Sequence, residues 1–191
     1  FLAAALDRGS GRFRNFMSHG RQWLETAGSE DSHSRALWAA GTGAGRSRNE
    51  GHRRLAAQLF ERALPQVAEF TSPRAWAFAL LGIHEYLRHF RGNAQIGATR
   101  ALLTDKLLKL WQSTATDNWP WFEPIVTYDN ARICQALILS GQWMPNPEAR
   151  AVGLASLRWL SSIQKTQAGC FRPIGSNGFY KCGGPRALFD Q

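Results

Sequence analysis

After residue 35, large apolar side chains return every three or four positions through most of the chain. Leu55, Leu59, Phe60, Leu64 and Val67 form one such series, Phe78, Leu81 and Leu87 with His84 a second, and Leu102, Leu107, Leu108 and Trp111 a third. That spacing lines side chains along one face of an α-helix, which turns once in about 3.6 residues. Alternation of apolar and polar neighbours, the mark of a half-buried strand, is absent over these stretches. The pattern predicts an all-α chain with helices over about 35–41, 52–69, 73–91, 95–113, 128–141 and 148–166.

Local punctuation agrees with that reading. Pro73 follows Ser72 and Pro147 follows Asn146; proline suits a first helical turn because its φ is already helical and its missing N–H had no partner there. Gly41, Gly92 and Gly141 are placed to end helices, and Gly92-Asn93 is short enough to fold neighbours into antiparallel hairpins. Residues 1–34, rich in Gly, Ser, Arg and Asp around isolated aromatics, read as a structured opening loop with at most a short helix near 21–26; 167–185 reads as a Gly-rich loop. A turn residue, Arg, Ala and a large apolar side chain recur at Ser34-Arg35-Ala36-Leu37, Pro73-Arg74-Ala75-Trp76 and Pro185-Arg186-Ala187-Leu188, and more loosely at Asn130-Ala131-Arg132-Ile133. Their irregular spacing excludes a tandem array. The recurrence is either common helix-start chemistry or the mark of helical hairpins whose starts gather on one rim.

Composition narrows the class. A chain of 191 residues, 44% apolar, can bury one core, so a single domain over 1–191 is expected. The formal charge of +9 comes from 19 Arg and 4 Lys against 14 acids. Arg also pairs rigidly with carboxylates inside folds, and no finger, RNA-recognition or homeodomain pattern accompanies the charge, so nucleic acid is not the expected partner. Cys134, Cys170 and Cys182 form neither a disulfide framework nor a four-Cys zinc site. No apolar run reaches the roughly 20 residues that cross a bilayer, so no membrane partner and a cytoplasmic, reducing location are expected. The chain lacks an initiator Met and stops at Phe189-Asp190-Gln191, just after a helix-like phrase opens at Pro185; both ends read as cut.

Three segments carry candidate chemistry. In Ser29-Glu30-Asp31-Ser32-His33-Ser34-Arg35, an acceptor, a titratable ring and a guanidinium fork stand at a helix start, where free N–H groups favour anions. Ordinary capping by Asp31 or Ser34 with an Arg ion pair is the plainer alternative. No second His or Cys stands at metal-site spacing, so neither a metal nor any cofactor is expected. In Asn118-Trp119-Pro120-Trp121-Phe122-Glu123-Pro124, Pro120 interrupts helical spacing among three large aromatics, with Tyr128-Asp129-Asn130 following. Flat rings bounded by Glu123, Asp129 and Asn130 would suit sugars, the rings stacking and the polar groups addressing hydroxyls. Beside Trp121 and Phe122, Glu123 is in the apolar setting that favours the neutral carboxyl a general acid needs, unless it caps the next helix or pairs with an Arg. In the third segment, 170–180, Gly175, Asn177 and Gly178 permit turns while Arg172, Asn177 and Tyr180 offer polar groups, as in a ligand-facing flap. It lacks a nucleotide phosphate-loop pattern.

Taken together, Glu30-Asp31-Ser32-His33-Ser34-Arg35-Ala36-Leu37-Trp38-Ala39, Trp119-Pro120-Trp121-Phe122-Glu123, Tyr128-Asp129-Asn130-Ala131, Gly183-Gly184-Pro185-Arg186-Ala187-Leu188-Phe189-Asp190-Gln191 and Gly11-Arg12-Phe13-Arg14-Asn15-Phe16-Met17 resemble a helical domain of bacterial glycosyltransferase-like proteins. The resemblance covers nearly the whole chain. It implies an incomplete (α/α)6-type toroid of antiparallel hairpins, related in architecture to six-hairpin glycosidases, with long motif-bearing loops and often a nucleotide-sugar glycosyltransferase domain on the same polypeptide. Ser34 stands where the family pattern has Gly. The implied partner is an oligosaccharide or glycan. The resemblance implicates Asp31, His33, Arg35, Trp121, Glu123, Asp129, Asn130, Arg186 and Asp190, and the residue pattern adds Trp119 with Arg172, Asn177 and Tyr180 of the flap as substrate contacts. If the domain cleaves a glycosidic bond, Glu123 is the expected proton donor and Asp31 or Asp129 the base or nucleophile. If it does not, the same groups hold a glycan for a catalytic domain elsewhere.

Overall fold

The computed structural model describes residues 1–188. They form packed helices divided between two compact units, Phe1–Thr104 and the residues from Asp105 onward. In the first unit a one-turn helix α1 (Leu2–Ala5) precedes α2 (Glu30–Arg46), α3 (Glu50–Ala63), a 3-10 turn (Leu64–Glu69) and α4 (Pro73–Leu87); α5 (Ala94–Thr114) carries the chain across the division.

Each start of α2, α3 and α4 has a side-chain cap. Ser29 Oγ accepts from Ser32 N at 3.1 Å, Asn49 Oδ1 from His52 N at 3.0 Å, and Ser72 Oγ from Ala75 N at 3.4 Å with Pro73 following. These bonds satisfy N–H groups that the first helical turn leaves unpaired. Glu30 reaches further: its carboxylate accepts from Ser72 N at 2.8 Å and Thr71 N at 3.0 Å, tying the start of α2 to that of α4. From Arg74 to Leu87 every residue of α4 is buried, so it is the core helix of this unit.

Helix α2 begins five residues before the expected position and continues past Gly41 to Arg46. Gly41, expected as an exit, is instead a contact with α4, as is Gly45. A Cβ at Gly41 would stand 2.2 Å from Gly82 O, and one at Gly45 only 1.9 Å from Glu85 O. Trp38 stacks on Phe78 farther toward the two N-termini, so α2 and α4 run in the same direction. An antiparallel hairpin does form between α2 and α3, the end of α3 meeting the start of α2 where His33 bonds Ala63, rather than at the expected Gly92-Asn93 connection. The expected helix over 52–69 tightens into the 3-10 turn from Leu64, with Pro65 in its first turn. No helix forms near 21–26; Met17 pairs with Trp23 there, and Arg21 takes φ 60°.

The second unit contains the end of α5, then β1 (Ile125–Val126), α6 (Asn130–Trp143), α7 (Pro147–Ile163) and β2 (Tyr180–Lys181). Helices α6 and α7 form an antiparallel hairpin: Gly141 lies against Asn146 and Arg150, and Gly153 against Cys134 and Ile138. Strands β1 and β2 pair antiparallel, Val126 opposite Tyr180, which fastens the last loop to the segment before α6. Cys134 is buried in α6, and burial pushes its thiol up to about 12. No helix among the described residues is long and apolar enough to cross a membrane.

Candidate functional site

The three candidate residues at the head of α2 end in different environments. Asp31 and Arg35 form an i,i+4 ion pair at 2.7 Å, and the Arg35 guanidinium lies 4.2 Å from the centroid of Phe78. His33 is fully buried. Phe13 N–H donates to its Nδ1 at 3.1 Å, which makes Nε2 the protonated nitrogen and the donor to Ala63 O at 3.1 Å. Phe13 and Phe70 pack against the ring. Burial disfavours the imidazolium and lowers the pKa to about 4, partly opposed by the bond to Ala63 and aided by the nearby Arg12 charge. His33 therefore joins the opening segment, α2 and the end of α3, and the expected sugar contact is corrected to a neutral core histidine. Its start position was legible, but the aromatic walls closing over it come from residues 13 and 70.

The aromatic segment before α6 is corrected in the same sense. Trp119 is 4% exposed and Trp121 fully buried. Trp119 meets Trp159 at 4.9 Å and Tyr180 at 5.0 Å between ring centroids, and Trp121 stacks on Trp159 at 5.8 Å. The indole N–H of Trp119 donates to Glu123 O at 2.7 Å, so the residue expected as a proton donor supplies a backbone acceptor to a core ring. Burying such large apolar surfaces is worth more than exposing them singly, and Trp159 of α7 is the partner that the local pattern did not announce. Glu123 itself is half-buried.

A cleft of about 740 Å³ opens beside the start of α6. Thr127, Asp129, Asn130, Ala131 and Arg132 form one wall; Leu157, Leu160, Ser161, Gln164 and Lys165 of the α7 end form another, and Gly169, Phe171, Pro173 and Ile174 of the following loop complete it. Asn130 is held by two bonds to Thr127, Oδ1 accepting from its N–H at 3.1 Å and Nδ2 donating to its carbonyl at 3.0 Å. Asp129 is exposed, takes the left-handed conformation at φ 47°, and makes no capping bond to α6 from its side chain. A non-glycine residue held there is sterically costly, and such strain gathers at binding and catalytic sites. Phe171 leaves 72% of its surface exposed at this cleft.

Asp129 and Asn130 are thus the expected residues that the structure brings to the cleft. Phe171, Ser161, Gln164 and Lys165 were not singled out. Leu157, Leu160, Ser161 and Gln164 do recur at helical spacing, so the polar pair could have been read as the continuation of the α7 inner face past the core. The remaining flap residues gather elsewhere: Arg172 and Arg186 line a hollow of about 220 Å³, and Arg186 donates to Ile163 O. Asn177 is exposed, whereas Tyr180 is occupied by the β ribbon and Trp119. Asp31, His33 and Arg35 belong to the first unit, and Asp190 lies outside the described residues. Among the described residues no group of three His, Cys, Asp or Glu side chains stands together as metal ligands. The chain matches no family model, no curated protein and no solved structure.

Proposed function

We propose that this chain is part of an (α/α)-toroid built from hairpins such as α2/α3 and α6/α7, and that it holds a glycan without cleaving it. The lining of the cleft beside α6 carries the reading: an exposed ring, Phe171, accompanies the amides of Asn130 and Gln164, the Ser161 hydroxyl and the Asp129 carboxylate. A sugar presents an apolar ring face and a rim of hydroxyls, and this set addresses both. The volume of about 740 Å³ lies within the roughly 300–1,000 Å³ of small-molecule sites. Glycosidic cleavage by either stereochemical route uses a pair of carboxyl groups across the sugar. Asp129 is the sole carboxylate among the described residues of the cleft, which favours holding over cutting. In this reading any transfer is performed by a nucleotide-sugar glycosyltransferase domain on the same longer polypeptide.

Calorimetric titration with neutral mannose- and glucose-containing oligosaccharides, alongside product analysis, tests the proposal. Saturable binding, weakened about fivefold in Phe171→Ala and without product, is the expected result. Absence of binding up to millimolar ligand would overturn it, and turnover lost in Glu123→Gln would replace it with a catalytic role.

A further inference from the structure

A second surface lies in the first unit, where the end of α2 packs on the end of α4 and leads through a three-residue turn into α3. The close approach of Gly45 to Glu85 O brings the last turns of α2 and α4 together. Glu85 then receives two guanidinium groups: Arg46 Nη2 donates to Oε1 at 2.7 Å, and Arg88 Nε stands 3.7 Å from Oε2. Across the short turn to α3, Arg53 donates to Ser47 O, while Glu50 takes Arg53 at 2.8 Å and Arg54 at 3.1 Å. Arg48 is exposed within that turn. Along the last turn of α2, the turn into α3 and the end of α4, Arg46, Arg48, Arg53, Arg54 and Arg88 stand against Glu50 and Glu85, a net +3. Much of this charge faces water, since the side chains of Arg46, Arg54 and Arg88 are 58%, 74% and 48% exposed.

We infer that this stretch is a docking surface for an acidic glycan, a sugar chain bearing carboxylates, and so names the class of glycan in the function proposed above, on which it rests. Charge complementarity selects an anionic partner, and Arg forks suit carboxylates, as the two-point grip of Arg46 on Glu85 already illustrates. Single-stranded nucleic acid is bound through stacking on aromatic side chains as well as charge. Among the described residues the exposed Phe, Tyr and Trp side chains, Phe1, Phe16, Tyr128, Trp143 and Phe171, lie outside these three helix ends in sequence. A lipid surface calls for apolar side chains that enter it, and here Leu55 alone is prominent.

Affinity for a polyuronate oligosaccharide, a neutral glucan of equal length and a single-stranded DNA oligonucleotide would be measured at low and physiological salt, on wild type and on Arg48→Gln/Arg54→Gln. Polyuronate is expected to bind most tightly, to weaken as salt rises, and to lose about tenfold in the double variant at unchanged thermal midpoint. Polyuronate binding that is absent or indifferent to these substitutions overturns the inference, as does tighter binding of the oligonucleotide. The Phe171→Ala titration with neutral oligosaccharides reports separately on the cleft. Failure there with polyuronate binding intact refutes the cleft reading alone, and the converse refutes the docking surface alone.

Discussion

The heads of α2 and α6 open with similar chemistry and reach opposite ends. Asp31, His33 and Arg35 stand in the first two turns of α2; Asp129, Asn130 and Arg132 stand at the start of α6. At α2 the opening segment folds over the helix start, Phe13 and Phe70 close on His33, and its two nitrogens are satisfied internally. At α6 the aromatic rings that precede the helix turn away into the core with Trp159, leaving Asp129 and Asn130 at a cleft. A polar motif at a helix start therefore becomes structural or available for binding according to where the neighbouring aromatics find their burial. Substitutions on the two sides should separate into losses of stability and losses of affinity.

The largest loss is expected at Trp121→Ala, which empties the fully buried stack on Trp159: about 3–5 kcal/mol by denaturant titration of the second unit. A cost under 1 kcal/mol would mean that Trp121 is not core and would restore it as a sugar platform. Next comes acid sensitivity of the first unit through His33. Above about pH 6.5 the ring is neutral in both folded and unfolded chains, so its contribution is complete. As pH falls toward 4 the unfolded chain takes up a proton that the fold refuses, and roughly 3 kcal/mol is lost. The test is the pH dependence of unfolding of wild type minus that of His33→Gln, which cancels the carboxylates; a flat difference between pH 7 and 4 refutes the buried neutral imidazole.

Gly45→Ala should cost about 1–3 kcal/mol, because its Cβ would meet the Glu85 carbonyl of a packed helix. Gly97→Ala, in α5 with nothing within 4 Å of the added carbon, should instead gain about 0.5–1 kcal/mol. Equal thermal shifts for the two would deny the α2–α4 contact. The smallest effect sharpens the contrast most: Asp129→Gly relieves a positive φ and should raise stability by roughly 0.5–1 kcal/mol while weakening oligosaccharide binding. Lower stability with unchanged binding would make Asp129 an ordinary structural residue.

The helices were legible because their apolar stripes repeat and two of their starts carry Ser72-Pro73 and Asn146-Pro147, local signals acting over three or four residues; the caps Ser29 and Asn49 were not among the expected starts. The extension of α2 was not, since a glycine read along the chain looks like an exit while the same glycine read across the fold is space for Gly82. Of the candidate site, Asp129 and Asn130 were legible as polar residues at a helix start. Phe171 was not, because nothing within the loop distinguishes a ring left at a cleft from one drawn into the core, as Trp119 and Trp121 are.

The sequence by itself determined that this protein is helical, where most helices begin, and that its charge is carried by arginine. Those properties follow from spacing, caps and composition, which operate within a few residues. Only the tertiary structure decided that His33 is neutral and enclosed, that the Trp pair is core, and that Asp129 with Phe171 borders a cleft. Burial depends on what packs from elsewhere in the chain: Phe13 and Ala63 for His33, Trp159 for Trp121, and the end of α7 for the cleft.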